Sequence, residues 1–145
     1  MNSATGLKPK LISLVIFFSV AAWGQAAQAS PNAVRLAINY GDGVQKEFRL
    51  PWKQDMTVFD AMNLAQANPH GIKFAYEGST PDKYFLTQID DVKNEGSGTG
   101  KRNWLYSVNA IPAKESFGLY KLKAADRVSW TFSSAHLKSQ GQRRK

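Results

Sequence analysis

One stretch of this chain carries a helical period, and it is enclosed by segments that alternate. Val58 to about Ala67 sets Val58, Ala61, Met62 and Ala65 on one helical face, with Phe59 and Leu64 flanking it. Thr57 followed three residues later by Asp60 has the pattern of a capping box, and Asn68-Pro69-His70-Gly71 ends the helix. Before it, Val34, Leu36, Ile38 and Tyr40 alternate with Arg35, Ala37 and Asn39, the period of a strand with one buried face. Gly41-Asp42-Gly43 then supplies residues that tolerate positive φ, and Val44 to Leu50 resumes, so a β-hairpin is expected with Pro51 breaking its second strand. After the helix, Ile72 to Tyr76 and Tyr84 to Ile89 read as strands around a turn at Gly78 to Pro81. Glu95 to Gly100 reads as a mobile glycine-rich loop, Asn103 to Val108 as an aromatic strand, Pro112 to Tyr120 as an irregular crossing and Arg127 to Phe132 as the last strand. A hairpin, one helix and then further strands exclude alternating βαβ units. They predict an α+β fold, a β-grasp-like single domain with a mixed sheet and one packed helix.

The 145 residues include no cysteine, which removes disulfide scaffolds, Cys-zinc sites, thiol nucleophiles and a lipobox. Residues 1–29 read as a secretory signal: Lys8 and Lys10 are basic, Leu11 to Trp23 is apolar, and Ala27-Gln28-Ala29 fits a cleavage site. That apolar stretch is too short to span a bilayer, and no second one follows. Cleavage after Ala29 leaves a domain over residues 30–135, a basic tail over 136–145 expected to be disordered, and a formal charge of +6 out of +8. The expected location is the periplasm or the medium. Basic residues Lys138, Arg143, Arg144 and Lys145 suit a peripheral contact with an anionic envelope surface rather than nucleic acid.

Catalytic patterns are weak. Gly96-Ser97-Gly98-Thr99-Gly100-Lys101 resembles a phosphate loop, but Glu95 and Arg102 occupy positions that need glycine and Ser or Thr, and a strand follows. Asp90 and Asp91 are adjacent and would point to opposite faces of a strand, so they read as the start of the loop. His70 and His136 lack ligand-spaced partners, which gives no metal site. With no nucleophile elbow either, neither an enzyme nor a bound cofactor is expected. Along Trp104-Leu105-Tyr106-Ser107-Val108, alternation places Trp104, Tyr106 and Val108 on one face of inward composition. Tyr84, Leu86 and Gln88 share the other candidate face, with Tyr84 and Gln88 the better exposed positions.

Several motifs together resemble the transcobalamin-like C-terminal domain family, many of whose bacterial members are small exported proteins. They are Tyr40-Gly41-Asp42-Gly43, Thr57-Val58-Phe59-Asp60-Ala61, Phe74-Ala75-Tyr76-Glu77-Gly78, and the strand from Tyr84 to Asp90. Asn103-Trp104-Leu105-Tyr106-Ser107-Val108-Asn109 is similar to the family's W-x-Y-x-V-N-G signature, and Tyr120-Lys121-Leu122 with Asp126-Arg127-Val128-Ser129-Trp130 completes the pattern. Asp91, Ala110 and Ala125 depart from it by standing where glycine is usual. The resemblance implies a β-grasp-like binding module. It extends to a corrinoid (cobalamin-like) or other small planar ligand, with Tyr84, Leu86, Gln88 and Trp104 at the ligand-facing positions beside the Gly96 to Gly100 loop. The helical domain that closes over the corrinoid in the vertebrate carriers has no counterpart in this sequence. The expected function is therefore an exported, non-enzymatic binding module for such a ligand or for a partner protein. The alternative is an envelope scaffold that uses a sheet edge and the basic tail and takes no small molecule.

Overall fold

A computed structural model of the chain describes residues 32–134. The expected signal peptide at 1–29 and the expected tail at 136–145 lie outside the described residues. Strands β1 (Ala33–Asn39) and β2 (Gln45–Pro51) form the expected hairpin, with Asn39 opposite Gln45 and both Gly41 and Gly43 at positive φ. Pro51 does not stop β2 but closes it, pairing with Ala33, because the last residue of an edge strand needs no donated ladder bond.

Helix α1 (Val58–Gln66) starts where the capping box predicts: the Thr57 hydroxyl accepts from the Asp60 N–H, and the Asp60 carboxylate accepts from the Thr57 N–H. Val58, Ala61, Met62 and Ala65 are its buried face, as their spacing requires. No helix of the described residues is long and apolar enough to cross a membrane.

Then follow β3 (Phe74–Glu77), a single 3-10 turn at Pro81–Lys83, β4 (Phe85–Ile89), β5 (Val92–Lys93), β6 (Asn103–Val108), β7 (Ile111–Pro112) and β8 (Arg127–Ser133). Among the described residues these strands form two sheets rather than one. The larger has the order β2-β1-β8-β6-β7, and the smaller is an antiparallel β3-β4-β5 ladder. In the larger sheet only β1 and β8 run parallel, so the first and last strands lie together at its centre, and the helix crosses beneath as in a β-grasp-like α+β domain. Sequence alternation cannot reveal the split, because both sheets bury one face and so read alike; two-residue strands such as β5 and β7 carry no period at all.

Val34, Leu36, Ile38, Val128, Trp130, Phe132, Trp104 and Val108 project from the inner face of the large sheet onto α1 and the small sheet. The two sheets are held by Asp90 at the end of β4. Its carboxylate accepts from the Tyr40 hydroxyl, from Lys46 Nζ at 2.9 Å and from the Lys73 N–H at 2.9 Å, which joins the first hairpin to β3 and β4. Partial burial works against the charge on Asp90, but these three donors together hold its carboxyl below the usual range. Burial first, and the hydrogen bond to Asp90 second, push the Tyr40 phenol well up.

Candidate functional site

The small sheet stops short of the large one along part of its length. Strand β4 pairs with β5 only at Gln88 and Ile89, and β6 pairs with β7 only at Ser107 and Val108. Residues 84–86 and 104–106 line one space with no ladder between them. The space between these edges is a cleft of about 330 Å³. Asn94 bridges the two edges: its side-chain oxygen accepts from the Trp104 N–H at 2.8 Å while its NH2 donates to the Leu86 carbonyl at 2.7 Å. One asparagine thus satisfies a donor on one sheet and an acceptor on the other.

The far wall is the segment at 112–117, which sequence shows only as an irregular crossing. It is fixed at two points. The Tyr106 hydroxyl donates to the Glu115 carbonyl at 2.7 Å, and Ser116 Oγ lies 2.7 Å from the Pro81 carbonyl and 3.0 Å from that of Tyr84. Burial, with Glu115 nearby, pushes the Tyr106 phenol well above its ordinary value, so it remains a donor. Gly118 lets this wall close in: a Cβ there would sit 2.5 Å from the Pro81 carbonyl oxygen and 2.7 Å from the Tyr84 ring.

The floor is aromatic. Phe117 meets Trp130 edge-on at 5.5 Å, and Trp130 lies 4.8 Å from Tyr106 between ring centroids. Trp130 is only 2% exposed, lines the cleft, and its Nε1–H is a buried donor with no hydrogen-bond partner among the described residues. The other buried indole of the site is different: Trp104 Nε1 donates to the Val92 carbonyl at 2.9 Å. A donor left unpaired in a dry site costs about 1–3 kcal/mol, so the Trp130 indole is the polar feature of the cleft that internal packing does not explain.

Of the four residues expected to face a ligand, Tyr84, Leu86 and Trp104 line this cleft and Gln88 does not. The Gln88 amide instead donates back to the Asp90 carbonyl, which holds the turn after β4. Leu86 and Trp104, at 2% and 4% exposure, are core residues that present only an edge to the cleft. Tyr84 precedes β4 rather than standing on it, and its ring joins a cluster with Phe59, Tyr76 and Phe117. The expected shared face of Tyr84, Leu86 and Gln88 fails because the β3–β4 register shifts between Leu86 and Gln88, leaving Thr87 as an extra residue on β4, and because Tyr84 stands before the strand at the end of the 3-10 turn. On β6, Trp104 and Val108 are buried as alternation predicts, while Tyr106 is half-buried at the mouth. The glycine-rich loop does not line the cleft. It folds on itself through Glu95 and Arg102, whose backbone and side-chain hydrogen bonds hold the Glu95 carboxyl below its usual range. Sequence reading missed Asn94, Ser116, Phe117 and Trp130. Of these only Trp130 lies in a pattern: the alternation of Val128, Trp130 and Phe132 marks its face as inward.

Residues 55–134 match the model of a family described as "Domain of unknown function (DUF4430)", and this covers more than half of the chain. The chain belongs to that family. Its matched region holds every residue of the cleft. A comparison with curated proteins gave no match. Among solved structures, the chain is similar to a "putative metal binding protein" from Ruminococcus gnavus ATCC 29149, with 15% identity and a TM-score of 0.52 over 72% of this chain and 99% of that one. That likeness concerns the fold.

Proposed function

We propose that this domain is an exported, non-enzymatic binding module whose cleft between the two sheet edges takes the edge of a small planar ligand. The observation that carries the reading is the unpaired, buried Trp130 Nε1–H in an aromatic cleft. A ligand with an apolar ring would cover the rings, and an acceptor atom on it would meet the fully buried indole Nε1–H as the side chains over it give way, the combination of apolar lining and few polar groups expected of a small-molecule site. At about 330 Å³ the cleft is near the lower end of such sites, so a corrinoid would insert one edge and leave the rest of its ring outside. Resemblance to transcobalamin-like domains supports a planar ligand of that kind. A metal ion has less support: the neighbour in the solved structures is described as metal binding, but no group of three or more His, Cys, Asp or Glu among the described residues is placed to hold one.

The test is titration of the purified chain with cyanocobalamin and, separately, with the smaller flat ring system lumichrome, followed by tryptophan fluorescence and calorimetry. Saturable binding that weakens about tenfold in Trp130→Phe, with the fold intact, is expected from loss of one hydrogen bond in a dry site. Absence of binding by both probes, or equal binding by Trp130→Phe, would overturn the reading.

A further inference from the structure

The outer face of the large sheet, opposite the helix and the cleft, carries three arginines side by side. Arg49 on β2 stands opposite Arg35 on β1 in the antiparallel register, and Arg35 stands opposite Arg127 on β8 in the parallel one. All three are exposed, while Val34, Leu36, Leu50 and Val128 beside them in sequence are buried, so the three guanidinium groups leave the same face. Like charges placed directly opposite each other on a sheet destabilise it, and any neutral residue would relieve this arrangement. Internal pairing only partly compensates. Arg127 reaches Glu47 at 3.0 Å, while neither Arg35 nor Arg49 has an ion pair or a side-chain hydrogen bond among the described residues. A shallow groove of about 240 Å³ lies between the three, over the small side chain of Ala37.

We propose that this arginine row is an oxyanion site that takes a phosphoryl group. The row carries three positive charges against the single carboxylate of Glu47, a surplus that matches a phosphate dianion and exceeds what one carboxylate ligand would neutralise. Guanidinium forks on adjacent strands can each offer two N–H donors to one tetrahedral group. The phosphoryl group has two chemical sources, a free phosphate or a lipid headgroup, and the site reads their shared chemistry. It is independent of the cleft and stands or falls apart from it.

The test follows the arginine Nε–H signals of the purified chain by NMR during titration with inorganic phosphate and pyrophosphate. Sedimentation with vesicles of phosphatidate in phosphatidylcholine is measured in parallel. Saturable shifts at Arg35, Arg49 and Arg127 on free anion, or vesicle binding that is lost in Arg35→Gln where free anion gives no shift, each support the site and identify the source; vesicle binding that Arg35→Gln retains belongs to the basic tail and would overturn the lipid arm. Arg35→Gln should weaken the response by about tenfold or more, as expected for loss of charge-assisted hydrogen bonds, and Arg35→Lys should recover only part of it. Glu47→Gln frees Arg127 and should tighten binding. Lys83→Gln removes one charge remote from the row and should leave binding within about twofold. No saturable response to any probe would overturn the proposal, as would Lys83→Gln weakening binding as much as Arg35→Gln. Arg49→Gln serves as the second variant if Arg35→Gln fails to fold.

Discussion

Replacing Asn94 with alanine should loosen the joint between the two sheets. The asparagine makes two hydrogen bonds across the sheets, one from the Trp104 N–H and one to the Leu86 carbonyl. Each contributes about 1 kcal/mol net, and a partner left unpaired away from water costs about 1–3 kcal/mol. Trp104 and Leu86 are buried, whereas Asn94 itself is partly exposed, so water will reach one of the two orphaned groups more readily than the other. We expect a loss of about 2–3 kcal/mol, which for a domain of this size lowers Tm by roughly 8–20 °C. Asn94→Asp keeps an acceptor for the Trp104 N–H but sets an oxygen against the Leu86 carbonyl, so it repairs only one side. Urea unfolding followed by far-UV circular dichroism measures both variants, and their near-UV spectra report on Trp104. Asn94→Ala within about 0.5 kcal/mol of the parent would refute the idea that this side chain ties the two sheets together, since surface substitutions fall in that range.

Further outcomes follow from other parts of the structure. Ala110 and Ala125 hold φ of +64° and +70°, Ala110 as the second residue of an Asn-Ala hairpin turn and Ala125 before Asp126. Ala110→Gly and Ala125→Gly should each raise stability by about 0.5–1 kcal/mol in denaturant melts, because glycine removes a left-handed strain of about 1–2 kcal/mol at a smaller entropic cost. Asp90 has a folded pKa below its unfolded value, so its contribution is complete above the ordinary carboxylate pKa and is lost as pH falls through the folded one. Thermal melts between pH 6 and pH 2 should therefore show stability falling more steeply with acid in the parent than in Asp90→Asn; parallel curves would contradict the role of this carboxylate. Gly118→Ala should push the wall at 112–117 off the Pro81 carbonyl and cost about 1–3 kcal/mol, read as a lower urea midpoint with quenching of Trp130 by acrylamide increased.

Local patterns were legible wherever one residue type had one physical reason to be where it is. Thr57 and Asp60 announced the start of the helix, the paired glycines announced the hairpin, and alternation identified Trp104 and Val108 as inward. The candidate site was legible only in part. Tyr84, Leu86 and Trp104 fall at the cleft, but Gln88 was grouped with them by a period that the chain does not keep: a 3-10 turn holds Tyr84 outside the strand, and the ladder between β3 and β4 shifts register at Ala75 and Tyr76.

What the sequence determined by itself is the set of elements and the face that each one buries, because period, caps and turn residues act over a few positions of chain. The tertiary structure decided where the ladders stop. β4 and β6 stop sharing ladders with β5 and β7 after two residues each, and the gap so created is the cleft. It also decided the arginine row, since Arg35, Arg49 and Arg127 are unremarkable in sequence and become neighbours only when β1 pairs antiparallel on one side and parallel on the other. Both sites are made by register between distant strands, and register depends on how whole faces fit together rather than on any short run of residues.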